Sequence, residues 1–300
     1  MKGRRGEDTV KQGPVEEDTL KQGPVKQGPA EKDTVKRRAV RLRSQAAAAS
    51  VLTLAVLLTA CGAMPRSGGG VSTSSTSASI TVFAAASLKA TFTDLAHQFE
   101  AAHGGTKVNL SVGGSSDLVA QLQNGAPADV FASADEANMT KATNAELVSG
   151  SPQIFATNVL EIAVPKGNPA GIHSLQDLAK PGVRLVLCAQ QVPCGSASHK
   201  AADSAGVALK PVSEEQSVTD VLGKVISGDA DAGLVYVTDV KGAGGKVDGV
   251  AFPESKAAVN RYPIATLKQS KASSVAQDFV EFVRGAEGQK VLGNAGFGAP

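Results

Sequence analysis

The sequence predicts an α/β protein of two lobes, each a mostly parallel sheet flanked by helices, with a ligand cleft between them. Three observations lead there. Apolar runs of strand length alternate with stretches of helical periodicity between residues 80 and 133. The same alternation returns between residues 159 and 236, and such a pattern leads to parallel strands covered by helices. The 300 residues are 42% hydrophobic and 19% charged, a composition that supplies a core and excludes global disorder.

In chain order, Ile80 to Ala84 reads as a strand, and Ser87 as the N-cap of the helix that follows. That helix carries Leu88, Phe92, Leu95, Ala96 and Phe99 on one face and stops at Gly104-Gly105. Val108 to Val112 alternates as a strand. Gly113 to Asp117 forms a turn and the N-cap of a helix with Leu118, Val119 and Leu122 on its face, which Gly125 ends. Asp129 to Ser133 is the third strand. The second set begins with a strand at Val159 to Val164, a short helix capped by Ser174 and a strand at Arg184 to Cys188. Gly195 to Ala205 has helical composition, and Val218, Val221, Leu222, Val225 and Ile226 mark an amphipathic helix ended by Gly228. Ala232 to Tyr236 is a strand, Lys241 to Lys246 reads as a loop, and Val275, Phe279, Phe282 and Val283 mark a last helix.

Charge is divided unevenly. Of 30 Lys+Arg and 28 Asp+Glu, residues 1–60 hold 12 and 7, leaving 18 and 21 for residues 61–300. A mildly acidic body argues against nucleic-acid binding. The lack of Trp and the presence of only two Tyr argue against sites that stack sugars or bases on aromatic rings. Residues 1–34 echo a decapeptide: Glu7 to Pro14 returns as Glu17 to Pro24, and Lys26 to Pro29 repeats its end. Units this short cannot bury a core, so the segment reads as disordered, with translation expected to start near Val35.

Residues 35–60 join a basic stretch (Lys36, Arg37, Arg38, Arg41, Arg43) to an apolar run from Ala46 to Ala60. That run is shorter than the roughly 20 residues that span a bilayer, and it has the layout of a secretory signal. Its end, Leu58-Thr59-Ala60-Cys61, resembles the bacterial lipobox, which implies a lipid on Cys61. Residues 61–79, rich in Gly, Ser and Thr, read as a flexible tether. The export signal implies an oxidising compartment, in which Cys188 and Cys194 are expected to pair. Zinc is not expected, since His199 is the only further ligand nearby.

Four strand-to-helix turns consist of small or polar residues: Ala85-Ala86-Ser87, Gly114-Ser115-Ser116, Val192-Pro193-Cys194-Gly195 and Ser217-Val218-Thr219. Each opens a helix whose first N–H groups lack intrahelical partners, and the positive end of the helix dipole lies there. Such ends hold anions. None of the four turns carries Lys or Arg, so an anion there would rest on neutral donors.

With these turns in place the chain resembles the periplasmic molybdate-binding proteins of ABC importers, of the type II periplasmic binding-protein fold. The resemblance spans Ile80 to Pro300. Its motifs are Ile80-Thr81-Val82-Phe83-Ala84-Ala85-Ala86-Ser87-Leu88, the run Gly125-Ala126-Pro127-Ala128-Asp129-Val130-Phe131-Ala132-Ser133-Ala134-Asp135, Val192-Pro193-Cys194-Gly195, and Gly233-Leu234-Val235-Tyr236-Val237-Thr238-Asp239. It implies one lobe from residues 80–158 plus 252–300 and a second from 159–251. It implies molybdate or tungstate as ligand, without a cofactor and without enzymatic activity. Delivery to a membrane permease, attachment to the outer face of the membrane and a monomeric state are implied with it.

Carried over residue by residue, the oxyanion ligands are the hydroxyls of Ser87, Ser115 and Tyr236 and the main-chain N–H groups of Cys194 and Val218. Ser116 is the alternative to Ser115. No protein atom bonds the metal itself. Gly114 stands where a serine is also plausible, and Cys194 where alanine is common. With its side chain tied to Cys188, Cys194 would stiffen the binding loop. Molybdate, tungstate and sulfate need only donors, whereas hydrogen phosphate needs an acceptor, for which Asp117 and Asp220 lie near two of the turns. Sulfate- or phosphate-binding is therefore the alternative within the fold. The alternative of another class is a secreted hydrolase using Ser196, His199 and Asp203, although no G-x-S-x-G is present. His97 and His103 read as solvated helix residues and Tyr262 as a core tyrosine.

Overall fold

A computed structural model describes residues 78–300. The repeat, the signal segment, Cys61 and the tether up to residue 77 lie outside the described residues.

The first half opens with β1 (Ser79–Ala85), a 3₁₀ turn (Ala86–Leu88), α1 (Lys89–Ala102), β2 (Lys107–Gly113), α2 (Ser115–Gln123), β3 (Val130–Ala132), α3 (Glu136–Asn144) and β4 (Val148–Asn158). The chain then crosses to β5 (Leu160–Pro165), a 3₁₀ turn (Gln176–Ala179), β6 (Leu185–Cys188), α4 (Pro193–Ala205), β7 (Ser213–Glu215), α5 (Val218–Ser227), β8 (Ala232–Tyr236), α6 (Val237–Gly242) and β9 (Val247–Val250). It returns through a 3₁₀ turn (Pro253–Ala258) to β10 (Asn260–Leu267), α7 (Ser273–Arg284) and α8 (Ala286–Ala295).

Two five-stranded sheets result, ordered β2-β1-β3-β10-β4 and β7-β6-β8-β5-β9. Both are mixed. β1 is parallel to β2 and β3, while β10 runs antiparallel to β3 and β4. β6 is parallel to β7 and β8, while β5 runs antiparallel to β8 and β9. The antiparallel members include the strands that leave for, or return from, the other sheet.

β1 is apolar on both faces because helices cover both. Ile80, Val82 and Ala84 pack with Phe92, Leu95 and Phe99 of α1 and with Phe279 and Val283 of α7. Phe83 points the other way, into Leu118, Val119 and Leu122 of α2 and Met139 of α3. The second sheet has its own core, in which Leu185, Leu187, Val221, Val225 and Leu234 take part.

Two strands absent from the sequence reading hold the first sheet together. β10 lies inside the sheet although it contains Pro263, a residue that argues against a central strand. A register shift between Tyr262 and Pro263 accommodates it. β4 is not predicted from the sequence because Gly150, Pro152 and polar residues break its apolar run, as an edge strand allows. Three smaller expectations also change. Ser79, assigned to the tether, opens β1. Ser87 caps no helix, because α1 starts at Lys89 without a side-chain cap, and α2 is entered from Gly114. The start of the stretch from Lys241 to Lys246 belongs to α6.

The two crossings run side by side. Asn158 at the end of β4 and Asn260 at the start of β10 are register partners. The Asn158 side chain donates to Thr238 Oγ1 at 2.8 Å, and that of Asn260 donates to the Ala134 carbonyl at 2.8 Å. Side-chain bonds thus brace both passages between the sheets.

Candidate functional site

Three helices of the fold begin at one place. α2 is entered from Gly114, α4 from Val192 with Pro193 in its first turn, and α5 from Ser217, whose hydroxyl accepts the Asp220 N–H at 3.3 Å. Proline suits the first turn of a helix because the N–H it lacks has no intrahelical partner there. The 3₁₀ turn after β1 joins them. Together they line a small, partly open pocket with a cavity volume of about 10 Å³, bordered by Ala85, Ala86, Ser87, Gly114, Ser115, Ala134, Val192, Pro193, Cys194, Val218 and Tyr236. Pockets for drug-sized ligands run to about 300–1,000 Å³, whereas about 10–15 Å³ is room for a single water, so this pocket suits only a very small ligand.

Every lining residue is electrically neutral. Ser87, Ser115, Cys194, Val218 and Tyr236, the five residues expected from sequence, all lie on this lining, contributed by both halves of the chain. Ser116 is buried but is not part of the lining. Asp117 and Asp220 sit in the first turns of α2 and α5, and neither borders the cavity.

The hydroxyls are not equivalent. Ser115 is 1% exposed, and its Oγ accepts the Ala134 N–H at 3.0 Å. Its own proton is therefore available to another acceptor. Ser87 Oγ lies 3.0 Å from the hydroxyl of Tyr262. Tyr236 is 1% exposed, and its hydroxyl has no hydrogen-bond partner. A buried hydroxyl left unpaired is costly, so this one is placed to meet something in the cavity. Burial, with smaller contributions from neighbouring Tyr262, Asp135 and Asp239, holds the Tyr236 phenol well above its ordinary pKa. It keeps its proton and can donate it.

Asp239, in the first turn of α6, accepts the Tyr236 N–H at 2.9 Å. Burial pushes its carboxyl up to about 7, only partly offset by that bond. Behind the start of α4, Cys188 and Cys194 form a disulfide with their Cα atoms 5.7 Å apart. A β-carbon at Gly195 would collide with the carbonyl oxygens of Cys188 and Ala189, so glycine lets the bridged loop fold tightly onto the helix.

Sequence reasoning missed two contributors. The N–H of Ala134 and the hydroxyl of Tyr262 reach the cavity serines from behind, and neither residue type announces such a contact. Tyr262 does occupy the core, as expected, and its oxygen also lies beside Ser87. Ser196, His199 and Asp203 lie along regular helix α4, without the strained turn that a hydrolytic serine needs. Among the described residues no cluster of three His, Cys, Asp or Glu could hold a metal ion.

Two apposed α/β halves with a small neutral cavity between them define a ligand-binding protein. The chain belongs to the bacterial extracellular solute-binding proteins, whose family model matches residues 80–298. It is 47% identical over 243 residues to the molybdate-binding protein ModA of Mycobacterium tuberculosis (strain ATCC 25618 / H37Rv), covering 81% of this chain and 93% of that one. Among solved structures it is similar to the periplasmic molybdate-binding protein of Azotobacter vinelandii, with a TM-score of 0.65, 26% identity and coverage of 74% of this chain and 99% of that one. The sulfate-binding protein SubI of Mycobacterium tuberculosis H37Rv shares the fold, with a TM-score of 0.61, 22% identity and coverage of 73% and 86%. These relatives are solute-binding proteins, not enzymes.

Proposed function

We propose that this protein captures molybdate or tungstate outside the cytoplasm and delivers it to the permease of an ABC importer. The observation that carries the proposal is the cavity between the halves, where three helix N-termini and the hydroxyls of Ser87, Ser115 and Tyr236 meet without a cation or a free carboxylate. A fully ionised dianion needs donors only, and helix N-termini supply them with a favourable dipole. The N–H groups of Cys194 and Val218 complete the set, and the ligand's oxygens, not its metal atom, meet the protein. Hydrogen phosphate carries a proton that requires an acceptor, and Asp117 and Asp220 stand away from the lining. The 47% identity to a protein named for molybdate binding supports the same ligand.

In this proposal the protein acts as a monomer, without a cofactor, held to the outer face of the membrane by a lipid on Cys61. The Leu58-Thr59-Ala60-Cys61 motif supports that anchor. Cys61→Ser should release the protein from the membrane fraction, and normal retention would remove the anchor from the proposal.

Thermal unfolding with molybdate, tungstate, sulfate and phosphate in turn tests the ligand. At a thousandfold excess over Kd, a ligand that binds only the folded state stabilises it by about 4 kcal/mol. Molybdate and tungstate should raise the melting temperature most. No shift with any of the four would overturn the proposal, and a larger shift with sulfate would reassign the ligand.

A further inference from the structure

Tyr262 is fully buried among aromatic rings, with centroids 6.2 Å from Phe155, 6.0 Å from Tyr236 and 5.5 Å from Phe297. A phenylalanine would fill this position as well, yet the side chain carries a hydroxyl, and that hydroxyl lies 3.0 Å from Ser87 Oγ. We infer that Tyr262 is a positioning residue for the anion site: its O–H donates to Ser87 Oγ, turns the Ser87 proton into the cavity, and thereby selects oxyanions that carry no proton. The inference rests on the oxyanion reading above and adds to it a determinant of specificity.

Either hydroxyl can donate in this geometry, and Asn158 and Tyr236 also lie beside the Tyr262 oxygen; three considerations favour Tyr262 as the donor to Ser87. A phenol is the stronger acid and hence the better donor to an aliphatic hydroxyl. Burial holds the Tyr262 phenol above its ordinary pKa, so the proton is present to be donated. A negative ligand beyond Ser87 favours the head-to-tail order in which Tyr262 donates to Ser87 and Ser87 donates to the anion. Hydrogen bonds in such a chain polarise and strengthen one another.

Ser115 has the same arrangement by other means, since the Ala134 N–H can only donate to its Oγ. Both cavity serines thus receive one hydrogen bond from behind and offer their own proton forward. Tyr236, with no partner of its own, adds a third proton. A ligand oxygen that bears hydrogen would face the protons offered by three hydroxyls, with one of the two acceptor sites on each serine already occupied from behind.

Isothermal titration of wild type, Tyr262→Phe, Ser87→Ala and the double variant with molybdate, and with phosphate at pH 8, tests the inference. Tyr262→Phe should weaken molybdate binding about 5- to 10-fold, a range consistent with loss of one hydrogen bond in a charged network. It should weaken phosphate less, so the preference between the two narrows. In the Ser87→Ala background the same change should alter molybdate affinity less than about 2-fold, as coupling through one bond requires.

Equal losses in both backgrounds, or an unchanged molybdate-to-phosphate ratio, would assign Tyr262 a packing role and overturn the inference while leaving the ligand in place. Failure of wild type to bind molybdate would overturn the function and the inference together. If Tyr262→Phe does not fold, 3-fluorotyrosine installed at position 262 keeps the ring and sharpens the donor. Molybdate binding must then tighten, and unchanged or weaker binding counts against the inference.

Discussion

Gly114 lies against the carbonyl oxygen of Gln216, so closely that a β-carbon at 114 would collide with it. The two residues come from different halves of the molecule, and Gly114 is also part of the cavity lining. Its backbone, at φ −61 and ψ 137, is open to any amino acid. The requirement for glycine therefore comes from the neighbour across the cleft and not from the local chain. Gly114→Ser should leave the melting temperature of the ligand-free protein within about 1–2 °C and weaken molybdate binding at least tenfold by holding the halves apart. Unfolding scans and titration calorimetry separate the two effects. A variant that binds normally would show that the halves do not need this approach.

Removal of the Tyr236 hydroxyl and removal of the Ser115 hydroxyl should act in opposite ways on the empty protein. The Tyr236 oxygen has no partner, so Tyr236→Phe relieves an unsatisfied buried group and should keep or raise stability without ligand. Ser115→Ala strands the Ala134 N–H and should lower it by about 1–3 kcal/mol. Both should weaken molybdate binding, each by about 1.5–3 kcal/mol if its hydroxyl meets the charged ligand. Denaturant unfolding of the empty protein beside calorimetry of the bound one checks both parts.

The Asp239 carboxyl ties stability to pH. Its pKa in the folded protein is raised from 3.8 to about 7, so between these values the folded state binds more protons than the unfolded one. The contribution is then fully present below about pH 4 and is lost as pH rises through 7. At about 1.4 kcal/mol per pKa unit the loss is at most about 4 kcal/mol. Asp239→Asn, which can still accept the Tyr236 N–H, should flatten the fall in stability between pH 5 and 8. A profile as steep as that of wild type would rule out Asp239 as its source.

Reduction of the Cys188–Cys194 bridge should cost stability and affinity together. The two cysteines are six positions apart, and closing so short a loop in the unfolded chain is worth about 2 kcal/mol. The Cys194 N–H belongs to the proposed anion site, so loosening the loop should also weaken molybdate binding. Cys188→Ser, scanned with and without molybdate, tests this. A lower melting temperature with unchanged affinity would make the bridge purely structural.

The turns were legible as candidate anion sites, and the family resemblance selected the residues within and beside them. Ser87, Ser115 and Cys194 each follow a strand that the sequence predicts, Tyr236 ends another and Val218 opens an amphipathic helix, and small residues next to a helix start mark where a ligand can approach the main chain. The hydrophobic period gave β1, α1, α5 and β8 close to their observed limits. It failed at β4 and β10, where Pro152 and Pro263 interrupt strands that only long-range pairing can stabilise. It also failed behind the cavity. Tyr262 and Ala134 are distant in sequence from Ser87 and Ser115, and nothing local in either says which hydroxyl it will touch. The mixed character of both sheets was hidden for the same reason, since strand direction depends on how the two crossings are made.

A cavity lined only by neutral groups has a kinetic consequence. Residues 61–300 hold 18 Lys+Arg against 21 Asp+Glu, so a dianion approaches a body with a slight excess of its own sign, and two cations, Lys89 and Lys241, line the groove beside Ser87 and not the cavity itself. Long-range steering by net charge, which speeds capture in oppositely charged pairs, does not operate here. Added salt should then leave the association rate unchanged or raise it slightly by screening the repulsion. Once the halves close over the ion, escape depends on opening the cleft, which salt barely touches. Residence time, rather than speed of encounter, is the quantity that this architecture sets.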